Sequence, residues 1–220
     1  MIDNESFLNH IHTFQRCQRN WNLEKIIDDQ TIDYFLEVGY NVPTKQNLNS
    51  FKIVCIKNRK EILKWANIAK NPSSISHHIE PLTQATLEQG QLQNPQVNAN
   101  LLFLFFVNEN ERTSDLRKNR ERGNPPDPII WKRKCNLEIG LSASAISIAA
   151  IIKGYRTGFC GCIDINSIPN SWVASWGVRT TDLAVMLGVG LPLHDDHTLL
   201  NDPTYKKGSF QKTPWEKIVI

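Results

Sequence analysis

Arginine and amide side chains crowd the stretch QRCQRNWN, residues 15 to 22. Arg16 and Arg19 suit the neutralisation of a phosphate, and Gln18, Asn20 and Asn22 suit hydrogen bonds to ring or phosphate oxygens. Taken alone, such a run reads as a solvated basic helix end, because charged runs are usually surface. A second polar cluster, Pro43-Thr44-Lys45-Gln46-Asn47, lies in a loop between a helix and a core strand, a good place for ligand contacts. The third is Cys160-Gly161-Cys162, at the end of CNLEIGLSASAISIAAII, KGYRTG and FCGCID, residues 135 to 164. A helix that ends in a glycine turn and feeds a Gly- and Cys-containing segment places backbone amides beside a ligand, so this unit reads as the wall of a cofactor site. Its two thiols read as buried cysteines beside a glycine. A thiol redox or metal site there would be the sharper alternative, and a metal would need further ligands. His194-Asp195-Asp196-His197 lacks a distant third ligand, and no metal centre is expected.

The elements that must position these residues follow from periodicity. Phe7, Leu8, Ile11 and Phe14 predict a helix over 5–17, and Ile32, Phe35 and Leu36 predict one over 29–39, capped by Asp28 or Asp29 and ended by Gly39. FKIVCI, before residue 57, reads as a buried strand, residues 59 to 70 as a short helix, and LLFLFFV, residues 101 to 107, as a strand buried on both faces. Residues 71 to 100 are polar without strong periodicity, with His77 and His78 read as surface, and the charged stretch 108–130 reads as an exposed loop or lid. In the central helix, Leu137, Leu141, Ala145, Ile148 and Ile152 form one apolar stripe. Ile139, Ala143, Ile146 and Ala150 form another, leaving little surface for water. Its uncharged run, Ile139 to Ile152, is shorter than the about 20 apolar residues a bilayer requires. Small residues Ser142, Ala143, Ala145 and Ala149 permit close approach of another backbone. INSIPNSW opens a short helix after Pro169, residues 180–192 read as a last core strand, and EKIVI as an edge strand or docking segment. The order predicts one domain over 1–220, an α+β fold or a three-layer α/β sandwich with helices covering a sheet, and a docking tail from about 203.

Composition sets the remaining bounds. Across 220 residues, 40% are hydrophobic and 21% charged, as in ordinary globular proteins, and a net charge of +3 with scattered basic residues argues against a dedicated nucleic-acid binder. Five cysteines without CxxC spacing, together with an N-terminus that lacks a long apolar run, predict reduced thiols in a cytoplasmic compartment.

Four separated pieces then agree: the arginine turn QRCQRN, the loop Pro43 to Asn47, the block EIGLSASAISIAAIIKGYRTGFCGCID (138–164), and VMLGVGLP (185–192). In this order and spacing the chain resembles the nitroreductase-like flavoproteins along nearly its whole length. The resemblance implies an FMN-dependent oxidoreductase with an α+β fold, a three-layer sandwich of helices around a mixed, mainly antiparallel sheet, that forms a homodimer with two flavin sites at the subunit interface. It implies that Arg16, Cys17, Gln18, Arg19 and Asn20 grip the flavin phosphate, with Lys212 completing that site. Pro43, Thr44, Lys45 and Asn47 from the partner subunit would touch the ring and ribityl chain, and Cys160, Gly161 and Cys162 would pass near N5. The turn reads Gln15-Arg16-Cys17-Gln18-Arg19 where the family has R-R-S-x-R, and Cys160-Gly161-Cys162 replaces a more usual acidic or small residue. Lys45 or Arg16 is expected to supply the cation near N1 and C2=O, and the amides of Gly161 and Cys162 the N5 neighbours. The implied reaction is ping-pong, from NADH or NADPH to an electron-poor acceptor such as a nitroaromatic or quinone. The alternatives are reductive dehalogenation or flavin fragmentation on the same fold, or a flavin-binding protein with little turnover. No nucleic-acid or membrane partner is expected.

Overall fold

A computed structural model describes residues 3–14, 17–19, 21–44, 47, 49–68, 96–108, 123 and 128–193. Among the described residues, four helices, α1 (Asn4–Phe14), α2 (Asp29–Tyr40), α3 (Arg59–Ile68) and α4 (Pro128–Ile152), surround one sheet. The strands are β1 (Phe51–Ile56), β2 (Leu101–Val107), β3 (Arg156–Cys160) and β4 (Leu183–Gly190), in the order β1-β2-β4-β3. All three pairings are antiparallel, the main component of the sheet expected from the sequence.

The uninterrupted apolar run of β2 is explained by its place between β1 and β4, with layers on both faces. Leu101, Phe103, Phe105 and Val107 pack with Ile32 and Phe35 of α2 and with Ile139, Ala143 and Ile146 of α4. Leu102, Leu104 and Phe106 face Ile62 and Trp65 of α3, together with Ile168 and Val173 from the linker after β3. That linker is a chain of single 3₁₀ turns, Ile165–Ser167, Asn170–Trp172, Ala174–Trp176 and Thr180–Asp182, which stacks Trp176 on Trp65 with centroids 5.9 Å apart. Helix–sheet–helix layering is therefore present, and the fold is α+β.

α2 begins where expected: the Asp28 side chain accepts the Thr31 N–H at 2.7 Å. α4 differs in two ways. It starts at Pro128, inside the stretch read as a loop, because proline at the first helical position gives up no hydrogen bond and already has helical φ. Its stripes are also unequal. Ile139, Ala143, Ile146 and Ala150 are buried, but Leu137 is 67% exposed, Leu141 44% and Ile152 39%. The expectation that little of the helix meets water is corrected. The close approach predicted from its small residues occurs against α2, where the Ser142 hydroxyl donates to Gly39 O at 2.7 Å. A side chain on Gly39 would meet Ile146 Cδ1 at 2.7 Å and Ile53 Cδ1 at 2.9 Å, so both isoleucines would have to shift to admit one. By length and composition Lys132–Ile152 could cross a membrane, yet this helix packs on α1, α2 and all four strands.

Candidate functional site

The site is built on the end of β3. Gly158 has room for no side chain: a Cβ there would stand 2.9 Å from Gln18 O and against Gln96 O. Glycine thereby lets residues 17–19 lie flat on the strand. Gln18 N–H donates to Thr157 O at 2.7 Å, and Phe159 N–H donates to Cys17 Sγ at 3.4 Å. The Arg19 guanidinium donates to Cys17 O at 3.2 Å. With its amide oriented to satisfy both neighbours, Gln96 accepts from Arg19 at 2.8 Å and donates to Phe159 O at 2.6 Å. Gln18 is 1% exposed and belongs to the packing of this turn, while Cys17 and Arg19 are half-buried.

Phe159 links this turn to a cavity of about 480 Å³. The strand ends supply Val107, Phe159 and Asp182 to Val185, and α4 supplies Lys132, Asn136, Ile139, Gly140, Ala143 and Ser144. Lys132, Asn136, Gly140 and Ser144 recur every fourth residue, so they form one row along the helix. Gly140 has nothing within 4 Å of where its Cβ would stand, leaving the helix wall low. The cavity offers apolar surface with a cation, an amide, a hydroxyl and a carboxylate at its edges, the composition that holds a flat polar ring.

Past Phe159, Cys160 is buried, and burial pushes its thiol up to about 11. Gly161 and Cys162 are exposed.

The loop after α2 is pinned by its own side chains. Asn47 N–H donates to Thr44 O at 3.1 Å, Asn49 N–H to Thr44 Oγ1 at 3.2 Å, and the Asn49 amide to Tyr40 O at 3.0 Å. Asn47 and Asn49 adopt φ of 57° and 40°, a left-handed conformation that asparagine tolerates better than most residues. Asn49 Oδ1 is enclosed and accepts no hydrogen bond among the described residues. Pro43 and Asn47 are exposed and Thr44 half-buried.

Of the residues singled out in sequence, Cys17, Gln18, Arg19, Cys160, Gly161 and Cys162 are brought to one strand end, while Pro43, Thr44 and Asn47 belong to the separate loop before β1. Arg16, Asn20, Lys45 and Lys212 lie outside the described residues, as do His77, His78 and the HDDH stretch. Sequence reasoning passed over Gln96, Lys132, Asn136, Ser144 and Asp182. The four-residue recurrence of 132, 136, 140 and 144 was the available signal, but it was hidden behind the stronger apolar periodicity. Among the described residues no group of three His, Cys, Asp or Glu could hold a metal ion.

No family model and no curated protein matches the sequence. Solved structures do. Nitroreductase A from Vibrio parahaemolyticus aligns with a TM-score of 0.60 at 15% identity, over 91% of this chain and 77% of that one. A nitroreductase family protein from Streptococcus pneumoniae aligns at 0.60 and 13% identity, over 94% and 100%. The fold is nitroreductase-like. An Exiguobacterium sibiricum protein described as a nitroreductase and solved in complex with FMN aligns at 0.59 and 14% identity, over 91% and 92%. At these identities the nitroreductase-like chain shares architecture with its neighbours.

Proposed function

We propose that this chain is an FMN-dependent oxidoreductase acting as a homodimer in the cytoplasm, taking electrons from NADH or NADPH and passing them to an electron-poor acceptor such as a nitroaromatic or quinone. The observation that carries the reading is the cavity between the Lys132-to-Ser144 row of α4 and Phe159, joined through Phe159 to the arginine-bearing turn. Its volume falls within the roughly 300–1,000 Å³ usual for small-molecule sites, and its lining matches a ring system with an apolar face and polar edges. The unpaired acceptor Asn49 Oδ1 is a second point of fit. The residues present thus suit FMN.

Bound FMN would supply the hydride chemistry. The chain's part is binding, orientation and electrostatics. Arg19 would hold the phosphate with Arg16, and its guanidinium keeps free N–H donors after satisfying Cys17 O and Gln96. Lys132 would support negative charge at the cavity edge. The amides of Gly161 and Cys162 lie just past Phe159 and would face the ring edge. Pro43, Thr44, Lys45 and Asn47 would be contributed across the dimer. The exposed Leu137 and Leu141 adjoin Asn136 and Gly140 of the cavity row, so a second copy covering that stripe would also close the cavity wall.

The visible spectrum of the purified protein, followed by anaerobic titration with NADH and NADPH, tests this. A yellow protein that bleaches with either nicotinamide and recolours on adding a quinone is the expected result. A colourless protein that cannot be reconstituted with FMN overturns the cofactor. A yellow protein that neither nucleotide bleaches overturns the electron donor.

A further inference from the structure

Three thiols gather at the end of β3, and the chemistry proposed above uses none of them. Cys160 is 3% exposed, and its thiol donates forward along the chain to Cys162 O at 3.8 Å. The Cys162 side chain is close enough to hydrogen-bond to that thiol, and Cys17 lies near enough to act on it electrostatically. Cys162 is exposed. Ile163 N–H donates to Gly161 O at 3.0 Å, closing a three-residue turn with Cys162 at its apex. Gly161, between the two cysteines, meets no atom within 4 Å of its Cβ position and is free to adjust.

We propose that Cys160 and Cys162 form a reversible dithiol–disulfide couple that exchanges with small disulfides, Cys162 attacking and Cys160 resolving.

The geometry supplies each requirement. Residues two apart have Cα atoms at most roughly 7.3 Å from each other, and a bent chain brings them into the 4.4–6.8 Å range that a disulfide bridges. Attack needs an accessible thiol, which Cys162 is. Resolution needs a thiol held beside the first and shielded from outside reagents, which Cys160 is. Cys17 is the competing partner, but its sulfur is already engaged with the Phe159 backbone, accepting N–H at 3.4 Å and donating to O at 3.9 Å. A ring closed over one intervening residue is strained and readily reduced, which suits a reversible couple rather than a permanent staple.

The steps balance. The Cys162 thiolate attacks one sulfur of glutathione disulfide, breaking its S–S bond, forming the Cys162–glutathione mixed disulfide and releasing one glutathione thiolate. Cys160 gives its proton to water or to the departing thiolate, attacks Cys162 Sγ and expels the second glutathione. Two protein thiols are oxidised and one glutathione disulfide is reduced to two thiols, with no other oxidant needed.

The full chain is incubated with glutathione disulfide, quenched in acid, and analysed by intact mass and by peptide mapping after alkylation of the remaining thiols. The proposal expects a protein lighter by two hydrogens, a Cys160–Cys162 crosslink, and full reversal by dithiothreitol. Cys160→Ser should trap glutathione on Cys162, and Cys162→Ser should slow oxidation at Cys160 by at least about tenfold, because a buried thiol with a raised pKa attacks poorly. The three cysteines elsewhere, Cys17, Cys55 and Cys135, leave the crosslink identifiable by its peptide, so the wild-type map decides even where a serine variant fails to fold. No loss of thiols, a glutathione adduct that persists on wild-type Cys162, or a crosslink to Cys17 would each overturn the assignment. Because every readout is thiol chemistry, these outcomes are separable from the flavin titration: a colourless protein can still form the crosslink, and a yellow one can fail to.

Discussion

The Glu138 carboxylate receives both donors of Ser50, the backbone N–H at 3.1 Å and the side-chain hydroxyl, across 88 residues of sequence. Both residues are buried. The contact fixes the start of β1, and with it the end of the loop carrying Thr44, Asn47 and Asn49, against the helix whose neighbouring row lines the cavity.

Glu138→Ala leaves two buried Ser50 donors without an acceptor. Each such group costs about 1–3 kcal/mol, so a loss of roughly 2–4 kcal/mol in unfolding free energy is expected, measured by urea titration. Glu138→Gln keeps one carbonyl acceptor and should cost less than half as much. Equal stability of the alanine variant and wild type would show that the contact does not hold the loop.

Gly158 is the point where the arginine-bearing turn touches the strand. Gly158→Ala places a methyl group against Gln18 O and Gln96 O, forcing the turn off β3. Overpacking of this kind costs about 1–3 kcal/mol, and flavin retention should fall further than stability does. Gly161→Ala is the control for stability alone, since its Cβ would meet no protein atom within 4 Å. Thermal melts of the two variants, side by side, separate a local steric effect from a general loss of backbone freedom, and the bound-flavin content of Gly158→Ala reads the displacement of the turn.

How far the sequence carried this picture depends on what each signal measures. LLFLFFV marked β2 to the residue, because a strand covered on both faces has no polar position to blur its edges. Asp28 marked the start of α2 through local hydrogen bonding, which needs no tertiary partner. The beginning of α4 was misplaced because the prolines of PPDP read as breakers, while Pro128 sits at the first position of the helix. Helical periodicity likewise cannot tell an apolar stripe that faces the sheet from one that faces away, so Leu137 and Leu141 looked like core. Cys160, Gly161 and Cys162 were legible as a group because they are contiguous. Glu138 with Ser50, and Gln96 with Arg19, were not legible, because their pairing is set by how the layers stack.

Cys55 lies in β1 next to the core, and burial pushes its thiol up to about 12, with exposed Lys57 pulling weakly the other way. The sign follows from the two states. The unfolded thiol gives up its proton near its ordinary value of roughly 8.5, whereas the folded one keeps it to about 12. Stability is unaffected by this group below that range and falls as pH rises through it. Cys160, pushed up to about 11 by burial, adds a slope of the same sign. Urea midpoints between pH 8 and 10 should therefore fall less steeply for Cys55→Val than for wild type. Parallel slopes would mean that the folded Cys55 thiol ionises as freely as the unfolded one.

Leu137 and Leu141 stand one turn apart on α4, 67% and 44% exposed, beside the row that lines the cavity. In a monomer, leaving two leucines in water on a buried helix forgoes about 1.5–3 kcal/mol for each side chain. A twofold partner would cover them with the same stripe of its own helix, since a self-complementary patch makes an isologous contact. Leu137→Lys with Leu141→Lys places like charges face to face across that contact. The double variant should elute as a monomer by light scattering while retaining its far-ultraviolet circular dichroism, and its flavin should be lost with the partner's contribution to the cavity. A variant that remains dimeric would place the interface on another surface. A monomer that keeps its flavin fully bound would show that the cavity is complete within one chain.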